Sequence, residues 1–120
     1  MAGVNSRSFQ RGYVVDTRSE KLTSYLSGLQ LEMQDMEIWA ASAPSPKALM
    51  SEQPFCVDTL PFEHWLQFVM IPRFNWMISE KMALPNQCDI APMAEEAFKS
   101  RKQPGVVLWL TRIDELLTVS

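Results

Sequence analysis

The chain is poor in the residues on which most enzyme chemistry depends. It holds one histidine, two cysteines and four glycines in 120 residues. His64 has no nucleophile or second ligand at a known spacing. Neither Cys56 nor Cys88 has another Cys or His at metal-ligand spacing. H-E-x-x-H, G-x-S-x-G and a glycine-rich phosphate loop are all missing. No catalytic residue, metal or cofactor is therefore assigned. No run of about 18 apolar residues is long enough to span a membrane, so no membrane partner is expected. The first residues lack the apolar core of a secretory signal. The expectation is a cytoplasmic protein with two free thiols rather than a Cys56–Cys88 disulfide. Excess positive charge is lacking as well: the net charge is −3. Direct nucleic-acid binding is thus disfavoured, since such domains usually carry a basic footprint. The one local exception is the cluster Lys99, Arg101 and Lys102, which Arg112 could extend into a stripe.

Bulky apolar residues are abundant. The chain is 47% hydrophobic, with four Trp, six Phe and eight Met. That is ample for one core, and possible surplus would mean an apolar surface. The length fits one domain. Residues 1–15 are mostly polar and aperiodic and read as a flexible N-terminal extension, leaving 16–120 as the folded domain.

Periodicity predicts an all-α, four-helix bundle-like domain. The first helix is expected from about Asp16 or Thr17 to Ala41. Thr17-x-x-Glu20 matches a capping box, and Leu22, Leu26, Leu29, Met33, Met36 and Ala40 form one stripe. Gly28 lies off that stripe and reads first as a tolerated helix glycine, second as a point of close approach for another chain segment. Residues 42–60, with Pro44, Pro46 and Pro54, forbid a long helix and predict a long ordered loop. That loop has a helical turn near Ser45–Met50, with Leu49, Phe55 and Val57 as packing anchors. The second helix is expected over about 61–82, apolar on nearly every side and hence central. Pro72 predicts a kink near 68–72. Its stripe reads Phe62, Leu66, Val69, Arg73, Trp76. Short helices are expected over 91–100 and 104–118, the last with Val106, Trp109 or Leu110, Ile113 and Leu116 or Leu117 inward.

The stretch QPFCVDTLPFEHWLQFVMIPR at 53–73 is the most distinctive part of the chain. Its run QPF…DT…WLQFVMIPR, followed by LP at 84–85 and IAP at 90–92, closely resembles the YqcC-like family of small bacterial proteins. The resemblance covers about residues 20–118. It implies an all-helical bacterial cytoplasmic protein with no established activity. Members of that family are often encoded beside a tRNA pseudouridine synthase, which implies an association with RNA modification.

Arg73 is the anomaly of this stretch, because a charge on an inward stripe is costly unless paired. Three readings compete: a structural clamp with Asp58, a guanidinium lining a pocket, or an Arg that reaches solvent past the kink. Gln53, Asp58, Thr59 and Gln67 read first as partners for loop and helix-end backbone, and second as ligand contacts. Glu63 and His64 read as solvated surface. Phe55, Trp65, Phe68, Phe74 and Trp76, with the methionines of the same helix, cannot all face one small core. The leading function is therefore a non-enzymatic interaction or self-association module, and the resemblance implies that it is an accessory to an RNA-modifying enzyme. The competing one is a small-molecule binder or unrecognised enzyme with a pocket near Asp58 and Arg73.

Overall fold

A computed structural model describes residues 17–118. The extension expected over 1–15 lies outside the described residues. The described residues are all helical, with no strand among them. The elements are α1 (Ser19–Asp35), a short α2 (Pro46–Leu49), a 3₁₀ turn (Pro54–Cys56), α3 (Phe62–Trp65), a π-helical turn (Leu66–Met70), α4 (Ile71–Ser79), α5 (Ala91–Ala97) and α6 (Pro104–Leu117). No helix among them is long and apolar enough to cross a membrane.

The stripe of α1 is as the spacing predicts: Leu22, Leu26, Leu29 and Met33 are all buried. Its ends differ from expectation. The Thr17–Glu20 box does not form, because Arg18 occupies the N-cap position and no side chain caps it. The Arg18 guanidinium instead donates to the carbonyls of Pro85 and Leu117, at 3.0 and 3.1 Å. It thereby ties the start of α1 to the end of α6 and to the α4–α5 connection. At the other end the helix stops at Asp35, before Met36 and Ala40 can extend the stripe. Glu37 turns left-handed (φ 62). Its N–H then reaches the Gln34 carbonyl and the Ile38 N–H reaches that of Met33, which is a Schellman closure. Glycine usually fills such a position, because a side chain there costs roughly 1 kcal/mol. Of the four glycines, none lies between Gly28 and Gly105, and the left-handed residues Glu37, Phe55, Cys56 and Lys81 all fall in that interval. Glu37→Gly should therefore raise stability by about 0.5–1 kcal/mol, read as a higher thermal midpoint.

α1 packs most extensively on α6, whose Val106, Leu110, Ile113 and Leu117 are fully buried. Gly28 is a point of close approach between the two helices rather than a merely tolerated glycine. A Cβ there would lie 2.5 Å from the Trp109 ring. That ring is further fixed by Tyr25, 5.9 Å away centroid to centroid, and by the Arg112 guanidinium 4.9 Å above it.

α5 is held by a residue that carries no sequence motif. Asp114 of α6 is buried, and its two carboxylate oxygens accept the N–H groups of Ile90 and Ala91, at 2.9 and 2.7 Å. A negative charge at a helix start also suits the partial positive charge there. Cys88 sits beside the same carboxylate. Burial, with hydrogen bonding to and the charge of Asp114, pushes its thiol well above the ordinary range. Both cysteines are free.

The helical rod over 62–79, expected to be central, leaves Pro72, Arg73, Asn75 and Trp76 exposed, and it contains the largest departure from simple periodicity. Pro72 has no N–H to give back to the preceding turn. Ahead of it, the Ile71 N–H reaches back five residues to the Leu66 carbonyl. The expected kink is thus taken up as a π-turn, which inserts one residue into the helix. One residue is about 100° of rotation, so the stripe shifts register after Leu66. Met70 and Phe74 are buried where Val69 and Arg73 were expected, and Arg73 and Trp76 are exposed.

Candidate functional site

The long connection before α3 is built rather than slack. Ser45 caps α2 by accepting the Ala48 N–H. The Thr59 hydroxyl donates to the Ala48 carbonyl at 2.7 Å. The Ser51 hydroxyl donates to Asp58 at 2.5 Å, and the Gln53 N–H donates to that same hydroxyl at 3.0 Å. Farther up, the buried Gln67 amide makes two bonds to one residue: it accepts the Ala40 N–H at 2.8 Å and donates to the Ala40 carbonyl at 2.9 Å. The side chains of Asp58, Thr59 and Gln67 are therefore occupied with the connection or its attachment to the rod, while Gln53 contributes its backbone N–H.

At the tip of the connection, Phe55 and Cys56 both adopt left-handed backbone, with φ of 58° and 50°. Each costs of order 1–3 kcal/mol and persists only where packing enforces it. The enforcing contacts are aromatic. Phe55 meets Trp65 edge-on at 4.8 Å and Phe62 at 6.1 Å, while Phe62 and Trp65 stack at 5.7 Å. This geometry changes which side chains anchor the loop. Of the predicted anchors Leu49, Phe55 and Val57, only Phe55 packs inward; Leu49 is exposed. The turn instead buries Cys56 and Leu60 and leaves Val57 57% exposed.

Between this tip and the rod lies a concavity of about 580 Å³. Phe55, Trp65, Val69, Phe74 and Met77 line it, with Ser51, Gln53 and Arg73 as polar members. A second, of about 570 Å³, adjoins it along α4 and is lined by Pro72, Arg73, Trp76, Met77 and Met82. Arg73 and Met77 belong to both and form the ridge between them. Trp76 is 56% exposed. Phe74 is part of the core as well as of the groove wall. Phe68 is half-buried beside His64, 6.0 Å away, and does not line either concavity.

The Asp58–Arg73 clamp is not present. Asp58 is engaged by Ser51, and among the described residues no ion pair joins it to Arg73. The reason is the π-turn, which rotates Arg73 out of the stripe on which a partner would have been needed.

The basic cluster is largely neutralised by neighbours. Arg101 makes a two-pronged pair with Glu63, at 3.1 and 3.0 Å, and lies 5.3 Å from the Phe98 ring centroid. Lys99 pairs with Glu96 at 2.8 Å. Glu63 is accordingly not the solvated residue that its position beside His64 suggested. Burial pushes its carboxyl up, but the Arg101 hydrogen bonds, its backbone N–H and the Arg101 and His64 charges outweigh this and hold it below the usual value. A pKa lowered on folding stabilises the fold above the unfolded value, and the gain disappears as pH falls through the folded one. Arg101 is half exposed, so screening keeps the effect below about 1 kcal/mol. Arg101→Gln should lose that increment at neutral pH and progressively less of it as pH falls, by urea unfolding across an acid pH series.

The sequence profile of the DUF446 family, described as tRNA pseudouridine synthase C, matches residues 21–116. An uncharacterized protein of Haemophilus influenzae is 43% identical over 75 residues, which are 62% of this chain and 71% of that one. The Escherichia coli protein YqcC is 30% identical over 100 residues, 83% of this chain and 91% of its own. Its solution NMR structure superposes with a TM-score of 0.76 at 28% identity, covering 85% of this chain and 89% of that one. A Pectobacterium carotovorum protein named tRNA pseudouridine synthase C is 25% identical over 87 residues, 72% of this chain but 23% of that protein.

Proposed function

We propose, from the premise that this chain belongs to the DUF446 family, that it is a non-enzymatic interaction module serving an RNA-modifying enzyme. The observation that carries this reading is the double groove along α4. It presents bulky apolar side chains on both sides of an exposed charge, with a strained but bonded loop as one wall. Exposed apolar surface of this kind marks interfaces, and Trp and Arg are the residues that most often dominate binding energy there.

Two further facts support it. A segment similar to this chain makes up less than a quarter of a longer protein named tRNA pseudouridine synthase C. A module continuous with a synthase in one chain is a natural companion to a synthase as a separate chain. In addition, Lys99 and Arg101 are already paired with carboxylates, which leaves little of the basic stripe for a phosphate backbone. Recognition of RNA then belongs to the partner.

Calorimetric titration of the purified chain into a tRNA pseudouridine synthase C tests this. The expected result is a one-to-one, RNase-insensitive complex that Trp76→Ala weakens about tenfold or more, a loss of about 1.4 kcal/mol, with no change in melting temperature. Absence of any heat, or steeply salt-dependent binding of the chain to bare tRNA, would overturn it.

A further inference from the structure

We infer that the double groove receives one amphipathic peptide segment, with a carboxylate on Arg73 and a bulky apolar side chain in each of the two concavities. This rests on the interaction reading above and specifies the chemistry of what is bound.

The argument begins with charge. Arg73 stands on the ridge shared by both concavities and is their one charged member; Val69, Pro72, Trp76, Met77 and Met82 around it are apolar, and Ser51 and Gln53 at the loop side are uncharged. Its one anticipated partner, Asp58, is held by Ser51. A guanidinium in such surroundings is complemented by a carboxylate, which it can bind through two parallel hydrogen bonds. A cationic or purely apolar segment would leave it covered and uncompensated, which is costly. Geometry supplies the rest. The two concavities adjoin, so one short segment can fill both, with its acidic residue between the two anchors. On a helical segment that order corresponds to apolar residues about one or two turns apart with the acid on the same face. The size is suitable too: each concavity, near 570–580 Å³, holds a large side chain with room for backbone. Preorganisation is built in, since the bonds of Thr59, Asp58 and Gln67 fix the wall before anything binds.

The test is selection from a displayed library of random 12-residue peptides against the full chain, run in parallel against Arg73→Glu. Arg73 is exposed, so the variant should fold, and its circular dichroism and melting temperature would verify this. The expected result is a wild-type consensus with Asp or Glu between two bulky apolar residues. Arg73→Glu should exchange the acid for Lys or Arg and weaken the wild-type peptides about tenfold. Enriched apolar pairs with no acidic preference, unchanged by Arg73→Glu, would overturn the inferred chemistry while leaving an interaction surface. No enrichment at all, or binding untouched by Trp76→Ala, would overturn both. Sedimentation of the chain alone is the remaining arm: a dimer dissociated by Trp76→Ala would assign the groove to a second copy and overturn the peptide.

Discussion

Asp114→Ala should remove about 3 kcal/mol of stability, the largest loss expected from any polar substitution in the described residues. The carboxylate is buried and accepts two backbone N–H groups at the start of α5. A net bond to a charged acceptor contributes roughly 1.5–3 kcal/mol, and stranded buried donors add a desolvation penalty. For a domain of this size the melting temperature should fall by about 10 °C or more. Asp114→Asn keeps one acceptor and should lose about half as much. A second readout separates this from general loosening. The Asp114 charge contributes to holding Cys88 in its thiol form, so Asp114→Asn should speed alkylation of that thiol under native conditions. An alkylation rate equal to that of the wild type, with stability intact, would show that the carboxylate is dispensable.

Gly28→Val should cost a similar amount for a different reason. The Trp109 ring occupies the space a side chain would need, and it is pinned by Tyr25 on one side and Arg112 on another. Overpacking of this kind typically costs 1–3 kcal/mol, about the upper end where the obstacle is a rigid ring. Gly28→Ala should cost less, because the gain in helix propensity of about 1 kcal/mol offsets part of the clash. A double variant, Gly28→Ala with Trp109→Leu, should recover much of the loss relative to Trp109→Leu alone. Independent, additive effects in that cycle would sink the steric explanation.

Much of the fold was legible because it rests on local pattern. The buried stripe of α1, the turn near Ser45–Met50, Pro92 in the first turn of α5 and the span of α6 all follow from spacing and proline chemistry. The boundaries that failed did so where backbone conformation competes with periodicity. Met36 and Ala40 continue a stripe, yet the chain turns left-handed at Glu37, a residue type that gives no warning of it. The same holds at Phe55 and Cys56, whose conformation moved burial from Val57 to Cys56 and Leu60. The anchoring roles of Arg18 and Asp114 depend on contacts 67 and 24 residues away along the chain, so nothing local marks them. Arg73 was recognisable as anomalous, and Pro72 as disruptive. Their connection is not legible, because a kink at 68–72 bends a helix without changing its register, whereas the π-turn rotates everything after it.

The π-turn makes chain length, rather than residue type, the variable that sets the character of this surface. An ordinary helix of the same composition would face Arg73 toward the core and turn Phe74 away from it. A chain one residue shorter between Leu66 and Met70 could keep Met70 and Phe74 inward without any bulge. The same inner face is thus compatible with two lengths, and only the longer one carries an additional residue on the outer side. A single-codon deletion there is a sharper tool than any substitution. It would leave the interior chemistry in place while redrawing the outline that another molecule meets.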